Sequence, residues 1–231
     1  MSAGAIIVAA GSGKRMHSAV AKQYLELKGK SILAHTITAF EKSDIIDYIV
    51  VVTGKDEVDL VNKDIIKRYE FKKVSAVIPG GEQRQDSVLK GLNNIMPDTE
   101  VILIHDGVRP FVSGDVIKRV YNDALMYGAA VASVPVKNTI KIADSEGFIS
   151  STPERQFLYS AQTPQGFKTS IIKEAYKKAY EDGFMGTDDC MLVEKYQCKV
   201  KLTMGEYENI KITTPEDMDI ALAISERINK K

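Results

Sequence analysis

Residues 5–16 read AIIVAAGSGKRM, a short apolar run that opens into a glycine-rich loop with two adjacent cations. Gly11 and Gly13 let the backbone turn tightly and bring its N–H groups close to an anion. Arg15 and, further along the chain, Lys22 supply positive charge suited to a polyphosphate. The stretch therefore predicts a buried strand that ends in a phosphate-binding loop. A plain turn with solvated basic side chains is the alternative interpretation.

This loop differs from the two commoner glycine motifs. A P-loop has a glycine five residues before its Gly-Lys pair and a Ser or Thr after the lysine, where this chain has Val8 and Arg15. A dinucleotide-binding fingerprint would need a glycine at Met16. The ATPase and dehydrogenase interpretations are therefore weak.

Length and composition set the broad class. The 231 residues carry a formal net charge of zero, which argues against a broad nucleic-acid-binding surface. Cys190 and Cys198 lack a nearby histidine that would complete a metal set, so we expect reduced, structural thiols. No apolar run reaches transmembrane length, and the first predicted strand leaves no room for a signal peptide. We therefore expect a single cytoplasmic domain over residues 1–231.

Apolar runs alternate with segments of helical periodicity along the chain. Most of these runs are continuous, as in parallel strands that are covered on both faces. The predicted strands are Ala5–Ala9, Tyr48–Thr53, Val74–Ile78, Val101–His105, Ala129–Val134 and Val200–Met204. The predicted helices between them are Ser31–Glu41, Glu57–Tyr69, Gln85–Ile95, Gly114–Tyr127 and Ile171–Glu181. This alternation predicts an α/β fold with a doubly wound, mostly parallel sheet.

One segment interrupts the alternation. Thr139–Asp144 and Phe148–Ser151 read as two short strands around a turn that contains Gly147. A hairpin that projects from a domain either covers a site or joins a partner subunit, and an ordinary surface excursion is the alternative. We define this segment, at about residues 137–160, as the arm.

Polar clusters follow the predicted strands, where the ligand crevice of an open α/β sheet lies. Gly80 and Gly81 precede a helix start that carries Arg84 and Ser87, and a helix N-terminus favours an anion. Asp106 follows another strand and could hold Mg²⁺ or simply cap a turn.

The other residues near these strand ends bear on the second ligand and on the type of catalysis. Arg109 could meet a second anion, whereas we expect His105 to be a satisfied, partly buried side chain. Further mixed polar clusters suggest a second anionic ligand that faces the first; they are Pro135–Thr139, Arg155, Ala161–Phe167, Thr187–Asp189 and Asn209–Thr213. The sequence has no pattern for a covalent nucleophile.

With these motifs in view, the whole chain resembles the 2-C-methyl-D-erythritol 4-phosphate cytidylyltransferase family. The residues that carry the resemblance are Lys22-Gln23-Tyr24, Gly80-Gly81 with Arg84 and Ser87, His105-Asp106-Gly107-Val108-Arg109-Pro110 and Gln162-Thr163-Pro164-Gln165. The resemblance implies a Rossmann-like nucleotidyltransferase fold and a homodimer joined through the arm. It also implies transfer of CMP from CTP to the polyol phosphate in non-mevalonate isoprenoid biosynthesis.

The motifs and the resemblance together give roles to individual residues. Four are predicted to be catalytic: Arg15, Lys22, Arg155 and Lys211. The predicted nucleotide contacts are Ala9, Ala10, Gly11, Gly13, Gly81, Arg84, Ser87, Asp106 and Gly107. The predicted contacts to the polyol phosphate are Asp106, Arg109, Thr139, Arg155, Thr163, Thr187 and Lys211. Asp106 is also the predicted ligand of Mg²⁺, and Arg155 is expected to reach across the dimer.

Two other functions stay open at this point. Ribitol-5-phosphate cytidylyltransferases share the fold and many motifs, although Ala9-Ala10-Gly11 and Thr187-Asp188 favour methylerythritol phosphate. The chain could also be a nucleotide-binding module without turnover. The presence of cations for both ligands argues against that, because a binding module needs only one half of the set.

Overall fold

The central sheet of the computed structural model, which describes residues 2–11 and 21–228, runs through the middle of an α/β fold. The strands in chain order are β1 (Ser2–Ala9), β2 (Glu26–Leu27), β3 (Lys30–Ser31), β4 (Tyr48–Thr53), β5 (Val74–Pro79), β6 (Thr99–Asp106), β7 (Ala129–Pro135), β8 (Ile142–Ala143), β9 (Ile149–Ser151), β10 (Tyr159–Lys168) and β11 (Lys201–Met204). The main sheet has the order β11-β7-β10-β6-β1-β4-β5. The predicted Rossmann-like, doubly wound fold is confirmed.

Helices cover both faces of this sheet. They are α1 (Ile32–Glu41), α2 (Val58–Leu60) with its continuation as a π-helix (Val61–Lys67), α3 (Arg84–Leu92), α4 (Gly114–Tyr127), α5 (Thr169–Glu181), α6 (Asp189–Lys195) and α7 (Pro215–Ile228). Short 3₁₀ turns lie at Lys22–Tyr24, Lys55–Glu57 and Arg155–Phe157. None of the helices in the described part of the chain is both long and apolar enough to span a bilayer.

The apolar strands divide their side chains between two cores, because successive residues of a strand face opposite sides of the sheet. Ala5 and Ile7 of β1 belong to the core that α1 and α4 cover. Ile6, between them, belongs to the core that α3, α5 and α6 cover. Burial on both faces explains why these strands read as unbroken apolar runs.

Strand β10 was missed by the sequence interpretation, which treated residues 161–167 as a polar cluster. It is antiparallel to both β6 and β7 and lies between them, whereas the other pairings in the main sheet are parallel. Pro164 and Gly166 weaken the strand signal, and the β7 register shifts between Ala161 and Gln165 to accommodate the proline. The short helix α6 was also missed.

The arm carries its own small sheet. Strands β8 and β9 pair with each other and are separate from the main sheet, as the predicted hairpin requires. Asp144 Oδ1 accepts hydrogen bonds from the backbone N–H groups of Glu146 and Phe148, which closes the turn. The arm leaves large apolar side chains in solvent: Phe148 is 68% exposed and Phe157 is 73% exposed.

Candidate active site

A cleft of about 220 Å³ opens at the carboxyl ends of β1 and β6. This is where the strand order reverses in a doubly wound sheet and where its ligands bind. The residues that line it are Val8, Ala9, Ala10, Gly11, Lys22, Gln23, Gly81, Glu82, Gln83, Arg84, Ser87, Asp106, Val108 and Lys211. The fold thus brings together residues from five separate parts of the chain.

The first wall of the cleft is the end of β1 and the loop that follows it. Ala9, Ala10 and Gly11, which the sequence predicts as nucleotide contacts, line the cleft. Gly13 and Arg15 lie outside the described residues, so their predicted roles stay predictions.

The second wall is the loop from Gly80 to Ser87, which ends in the first turn of α3. Gly81 N–H donates to Ser87 Oγ (3.0 Å), and that hydroxyl donates to Gln83 O (3.1 Å). A Cβ on Gly80 would lie 2.5 Å from the Cβ of Ala10, so only glycine lets the two loops approach this closely. Ser87 therefore shapes the loop while its side chain also faces the cleft.

Asp106 at the end of β6 is the electrostatic centre of the site. Its Oδ1 lies 3.2 Å from Arg84 Nε, and its Oδ2 lies 2.9 Å from Lys211 Nζ and 3.6 Å from Arg109 Nε. Burial raises the pKa of this carboxyl group, but the three cations outweigh burial and hold the pKa well below its usual range. Asp106 is therefore ionised and fixes three cations around one point.

Arg84 extends this network toward α6. Its Nη2 donates to Asp189 Oδ2 (2.9 Å), and Asp189 Oδ1 accepts from the Tyr176 hydroxyl (2.6 Å). Burial by itself lowers the pKa of Arg84, but the negative charges of Asp189 and Asp106 outweigh that effect and raise the pKa above its usual value. The guanidinium is thus held rigidly at the edge of the cleft, where the sequence predicts a nucleotide contact.

His105, next to Asp106, is fully buried and neutral. Burial lowers the pKa of His105 to about 3. Its Nε2 lies 3.2 Å from Arg109 O, which can only accept, so Nε2 carries the proton and Nδ1 accepts from the Thr163 hydroxyl at 2.9 Å. Thr163 Oγ1 in turn accepts from Asp106 N–H (3.0 Å). Both ring nitrogens are occupied, which agrees with the prediction of a satisfied side chain rather than a general base.

Of the predicted contacts to the second substrate, Asp106 and Lys211 line the cleft, and the other five fall into two groups. Arg109 and Thr163 lie behind Asp106, with Arg109 Nη1 bonded to Asn209 O (2.8 Å). Gly107, which the sequence predicts as a nucleotide contact, donates its N–H to Val8 O (2.8 Å) and joins the ends of β6 and β1. None of these three residues lines the cleft itself.

The second group consists of Thr139, Arg155 and Thr187, which are exposed and do not line the cleft either. Arg155 Nη1 donates to Lys137 O (3.1 Å), so it lies along the arm. Thr187 Oγ1 contacts Met191 Sδ (3.5 Å). Within one subunit the structure does not bring these residues together with Asp106.

Several residues of the site received no role from the sequence. Gln23, Glu82, Gln83 and Val108 line the cleft. Asp189, which holds Arg84, is placed by Gln165: its Oε1 accepts from the N–H groups of Asp189 and Cys190 (3.1 Å each), and its Nε2 donates to Asp188 (2.8 Å). Gln165 and Asp189 belong to polar clusters that the sequence predicts near the second ligand. Their roles depend on contacts between residues that are far apart in the chain.

A magnesium site made by the protein alone does not fit the described residues. Within residues 2–11 and 21–228, no three His, Cys, Asp or Glu side chains cluster in a way that could hold a metal ion. Asp106 is an ionised carboxylate at the cleft, and Mg²⁺ in nucleotide sites takes one or two carboxylates together with phosphate oxygens and water. The donor set therefore fits an ion that arrives with a nucleotide.

A cleft of this kind, at the switch point of a doubly wound sheet, defines the protein as a nucleotidyltransferase-type α/β protein. The family model for 2-C-methyl-D-erythritol 4-phosphate cytidylyltransferase matches residues 3–227. The chain belongs to this family.

Individual relatives agree with the family match. The 2-C-methyl-D-erythritol 4-phosphate cytidylyltransferase of Desulforamulus reducens is 47% identical over 97% of this chain and 96% of its own. That of Caldanaerobacter subterraneus is 44% identical over 96% of this chain and 97% of its own. The crystal structure of 4-diphosphocytidyl-2C-methyl-D-erythritol synthase from Anaerococcus prevotii is 36% identical, with a TM-score of 0.87 over 98% of this chain and 96% of that one.

Proposed function

We propose that this protein transfers CMP from CTP to 2-C-methyl-D-erythritol 4-phosphate and releases pyrophosphate, as a step of non-mevalonate isoprenoid biosynthesis. The observation that carries the proposal is the cleft at the end of β1, in which Arg84 and Lys211 converge on Asp106. Membership of the family supplies the identity of both substrates.

The chemistry follows from the charges. A phosphate oxygen of the polyol phosphate attacks the α-phosphorus of CTP and forms the new P–O bond. The bond from the α-phosphorus to the bridging oxygen breaks, and pyrophosphate leaves with the electron pair. The attacking phosphate is already an anion near neutral pH, so the reaction needs no strong general base. Buried, neutral His105 fits this, because neither of its nitrogens is free to take a proton.

The main barrier is the repulsion between two polyanions. Lys22 and Lys211 line the cleft, and Arg15 follows β1 in the sequence. These cations would offset the charge that builds up on the phosphates in the transition state. Asp106 contributes by holding Arg84 and Lys211 in place before substrate arrives, so little reorganisation is needed during the reaction.

Magnesium belongs to the proposal as the companion of CTP. Asp106 is the side chain that would hold it, together with the phosphates. When bound, the ion supplies further positive charge to the triphosphate.

The arm is proposed to complete the site in a homodimer. An isolated two-stranded hairpin is marginal in water, and Phe148 and Ile149 are 68% and 64% exposed. Pairing of the arm with the same arm of a second subunit would bury these side chains in a C2-symmetric contact. It would also carry Arg155 and Thr139 to the partner's cleft, which accounts for their distance from the cleft of their own subunit.

Location in the cytoplasm and the absence of a nucleic-acid partner stay predictions from composition.

The decisive experiment measures pyrophosphate release from CTP with methylerythritol phosphate, with ribitol 5-phosphate and with no acceptor. We expect release with methylerythritol phosphate, and UTP or ATP should be poorer donors by up to about 10⁴-fold, because the wrong base leaves polar groups unpaired. Faster release with ribitol 5-phosphate would transfer the assignment to that alternative. Binding of CTP without release under any condition would identify a non-catalytic module.

A further inference from the structure

Tyr24 lies at the centre of a polar cluster beside the cleft that the proposed mechanism does not use. Its hydroxyl lies 2.8 Å from Glu57 Oε2 and 2.6 Å from Thr53 Oγ1. The same carboxylate oxygen accepts from Gly54 N–H at 3.0 Å and lies 3.2 Å from Thr53 Oγ1. A carboxylate only accepts, so the geometry suits Thr53 donating to Tyr24 and Tyr24 donating to Glu57.

This cluster joins the turn that carries Lys22 to the end of β4. Lys22 and Gln23 line the cleft, and Tyr24 is the last residue of the same 3₁₀ turn. Thr53 is the last residue of β4, and its backbone oxygen accepts from Gly80 N–H at 2.7 Å. Through Thr53, the Tyr24 hydroxyl thus connects the Lys22 turn to the glycine loop on the opposite wall of the cleft.

Burial also holds this turn, because Gln23 is 1% exposed and Tyr24 packs against the core that α1 and α4 cover. Its backbone bonds are short-range, from Tyr24 N–H to Ala21 O (2.9 Å) and from Leu25 N–H to Lys22 O (3.2 Å). A 3₁₀ turn of three residues has little intrinsic stability, so its position depends on side-chain contacts to the rest of the fold. The Tyr24 hydroxyl supplies such contacts, and it stays protonated because burial and Glu57 raise its pKa.

We infer that Tyr24 and Glu57 are positioning residues for nucleotidyl transfer, and that they hold the Lys22 turn at the distance from the Gly80 loop that a triphosphate needs. This inference rests on the proposed function, in which Lys22 stabilises charge on the reacting phosphates. Tyr24 and Glu57 act through Lys22 and do not touch substrate. Their loss should therefore affect the chemical step more than the binding of CTP.

The test compares Tyr24→Phe with Tyr48→Phe. Tyr48 also has a buried hydroxyl with two partners, Thr99 and Met96 N–H. These partners lie at the amino ends of the strands, away from the cleft. Tyr24→Phe should lower kcat about 10-fold, while the dissociation constant for CTP changes less than about 3-fold. Glu57→Gln should fall between wild type and Tyr24→Phe, since an amide oxygen still accepts. Tyr48→Phe should keep kcat while losing stability. Equal kcat in Tyr24→Phe and wild type would overturn the inference.

A double variant separates positioning from a general structural effect. In the Lys22→Ala background, Tyr24→Phe should cause no further loss of kcat, because its effect passes through the missing lysine. A full, additive 10-fold loss would refute the inference.

Amide hydrogen exchange gives a readout that does not require turnover. Exchange at Tyr24 and Leu25 should speed up in Tyr24→Phe and stay unchanged in Tyr48→Phe. Unchanged exchange in Tyr24→Phe would overturn the inference. If wild type shows no transfer at all, the proposed function fails, and the exchange measurement still decides whether Tyr24 fixes the turn.

Discussion

Among single residues, Asp106 has the largest share in the organisation of the site. One carboxylate lies within 3.6 Å of nitrogen atoms from Arg84, Arg109 and Lys211. These cations come from α3, from the loop after β6 and from the segment before α7; the sequence predicts them at one site but does not show that they share one carboxylate. A buried carboxylate among cations both stabilises the fold and sets the geometry of the positive charge that faces the phosphates.

Substitution of this carboxylate tests both effects. Asp106→Asn removes the carboxylate that faces Arg109 and Lys211 and leaves Arg84 with Asp189 alone, so we expect about 3 kcal/mol less unfolding free energy at neutral pH. We also expect a fall in kcat of about 10²-fold. Urea denaturation and steady-state kinetics measure the two effects, with exposed Asp219→Asn as the matched control. Unchanged stability in Asp106→Asn would show that the ion pairs contribute no net energy.

The cations themselves make a second prediction. Arg15→Ala and Lys22→Ala should each lower kcat by roughly 10²-fold or more with the fold retained, since each removes charge stabilisation worth about 3 kcal/mol. Circular dichroism checks the fold and stopped assays of pyrophosphate check kcat. Near wild-type turnover in both variants would remove these residues from the mechanism.

His105 makes the stability of the protein depend on pH. Burial lowers its pKa to about 3 in the folded protein, so the unfolded chain takes up a proton first as the pH falls through the usual histidine range near 6.5. Its contribution to stability is therefore present above that range and is lost as the pH falls below it.

Between about pH 7.5 and pH 5.5, this one group should lower the unfolding free energy by about 1.4 kcal/mol. His105→Gln should lose that part of the slope. His35, whose pKa burial also lowers, should keep its own share. Urea denaturation at the two pH values measures how the unfolding free energy changes with pH in wild type and in His105→Gln. An equal change in the two proteins would contradict the assignment of His105 as buried and neutral.

At the level of secondary structure, the loop between β5 and α3 shows how a helix start becomes a binding surface. Gly80 and Gly81 bring the backbone close to Ala10, and the Ser87 hydroxyl closes the loop through Gly81 N–H and Gln83 O. The loop is thus held by one side chain from the helix that follows it.

Removal of that hydroxyl should loosen the nucleotide wall. Ser87→Ala leaves Gly81 N–H without its partner, which costs about 1–2 kcal/mol and should raise the KM for CTP roughly 10-fold. The KM for the polyol phosphate should stay within about 2-fold. Ser75→Ala, which removes a hydroxyl that bonds Ile49 O within the sheet, is the control. Equal effects on both KM values would argue against a specific role in the nucleotide wall.

For the whole molecule, the proposed dimer would make each site depend on the arm of a second chain. Arg155, on the arm, makes its described hydrogen bond to Lys137 O and does not line the cleft of its own subunit. If the proposed dimer forms, each site takes residues from two chains. Deletion of the arm should then give monomers that bind CTP but no longer use the polyol phosphate.

Mixing two inactive variants tests the shared site directly. Arg155→Ala and Asp106→Asn should each be nearly inactive alone. In an equal mixture about half of the dimers contain one chain of each variant, and one of the two sites in such a dimer has both native residues. Activity should therefore recover to about a quarter of the wild-type value. Light scattering measures the mass of the wild type and of the arm deletion. A monomeric, fully active wild type, or no recovery on mixing, would contradict the arm proposal.

The local pattern of the chain was enough to predict most elements. Continuous apolar runs gave β4 at its observed bounds and β1, β5, β6, β7 and β11 within a few residues, because burial on both faces leaves a local trace. The turn around Gly147 gave the hairpin. The glycine loops that the sequence places at strand ends lie where the cleft opens, and their roles in binding stay predictions.

The same pattern did not reveal strand β10, helix α6 or the partners of Asp106. Residues 159–168 contain a proline, a glycine and several polar side chains, and they form a strand only because β6 and β7 lie on either side to pair with them. Asp189 pairs with Arg84 across 105 residues, and no local period records such a contact. Propensity and hydrophobic periodicity act between neighbours along the chain, whereas strand pairing and the convergence of charges depend on residues that meet only after the chain has folded.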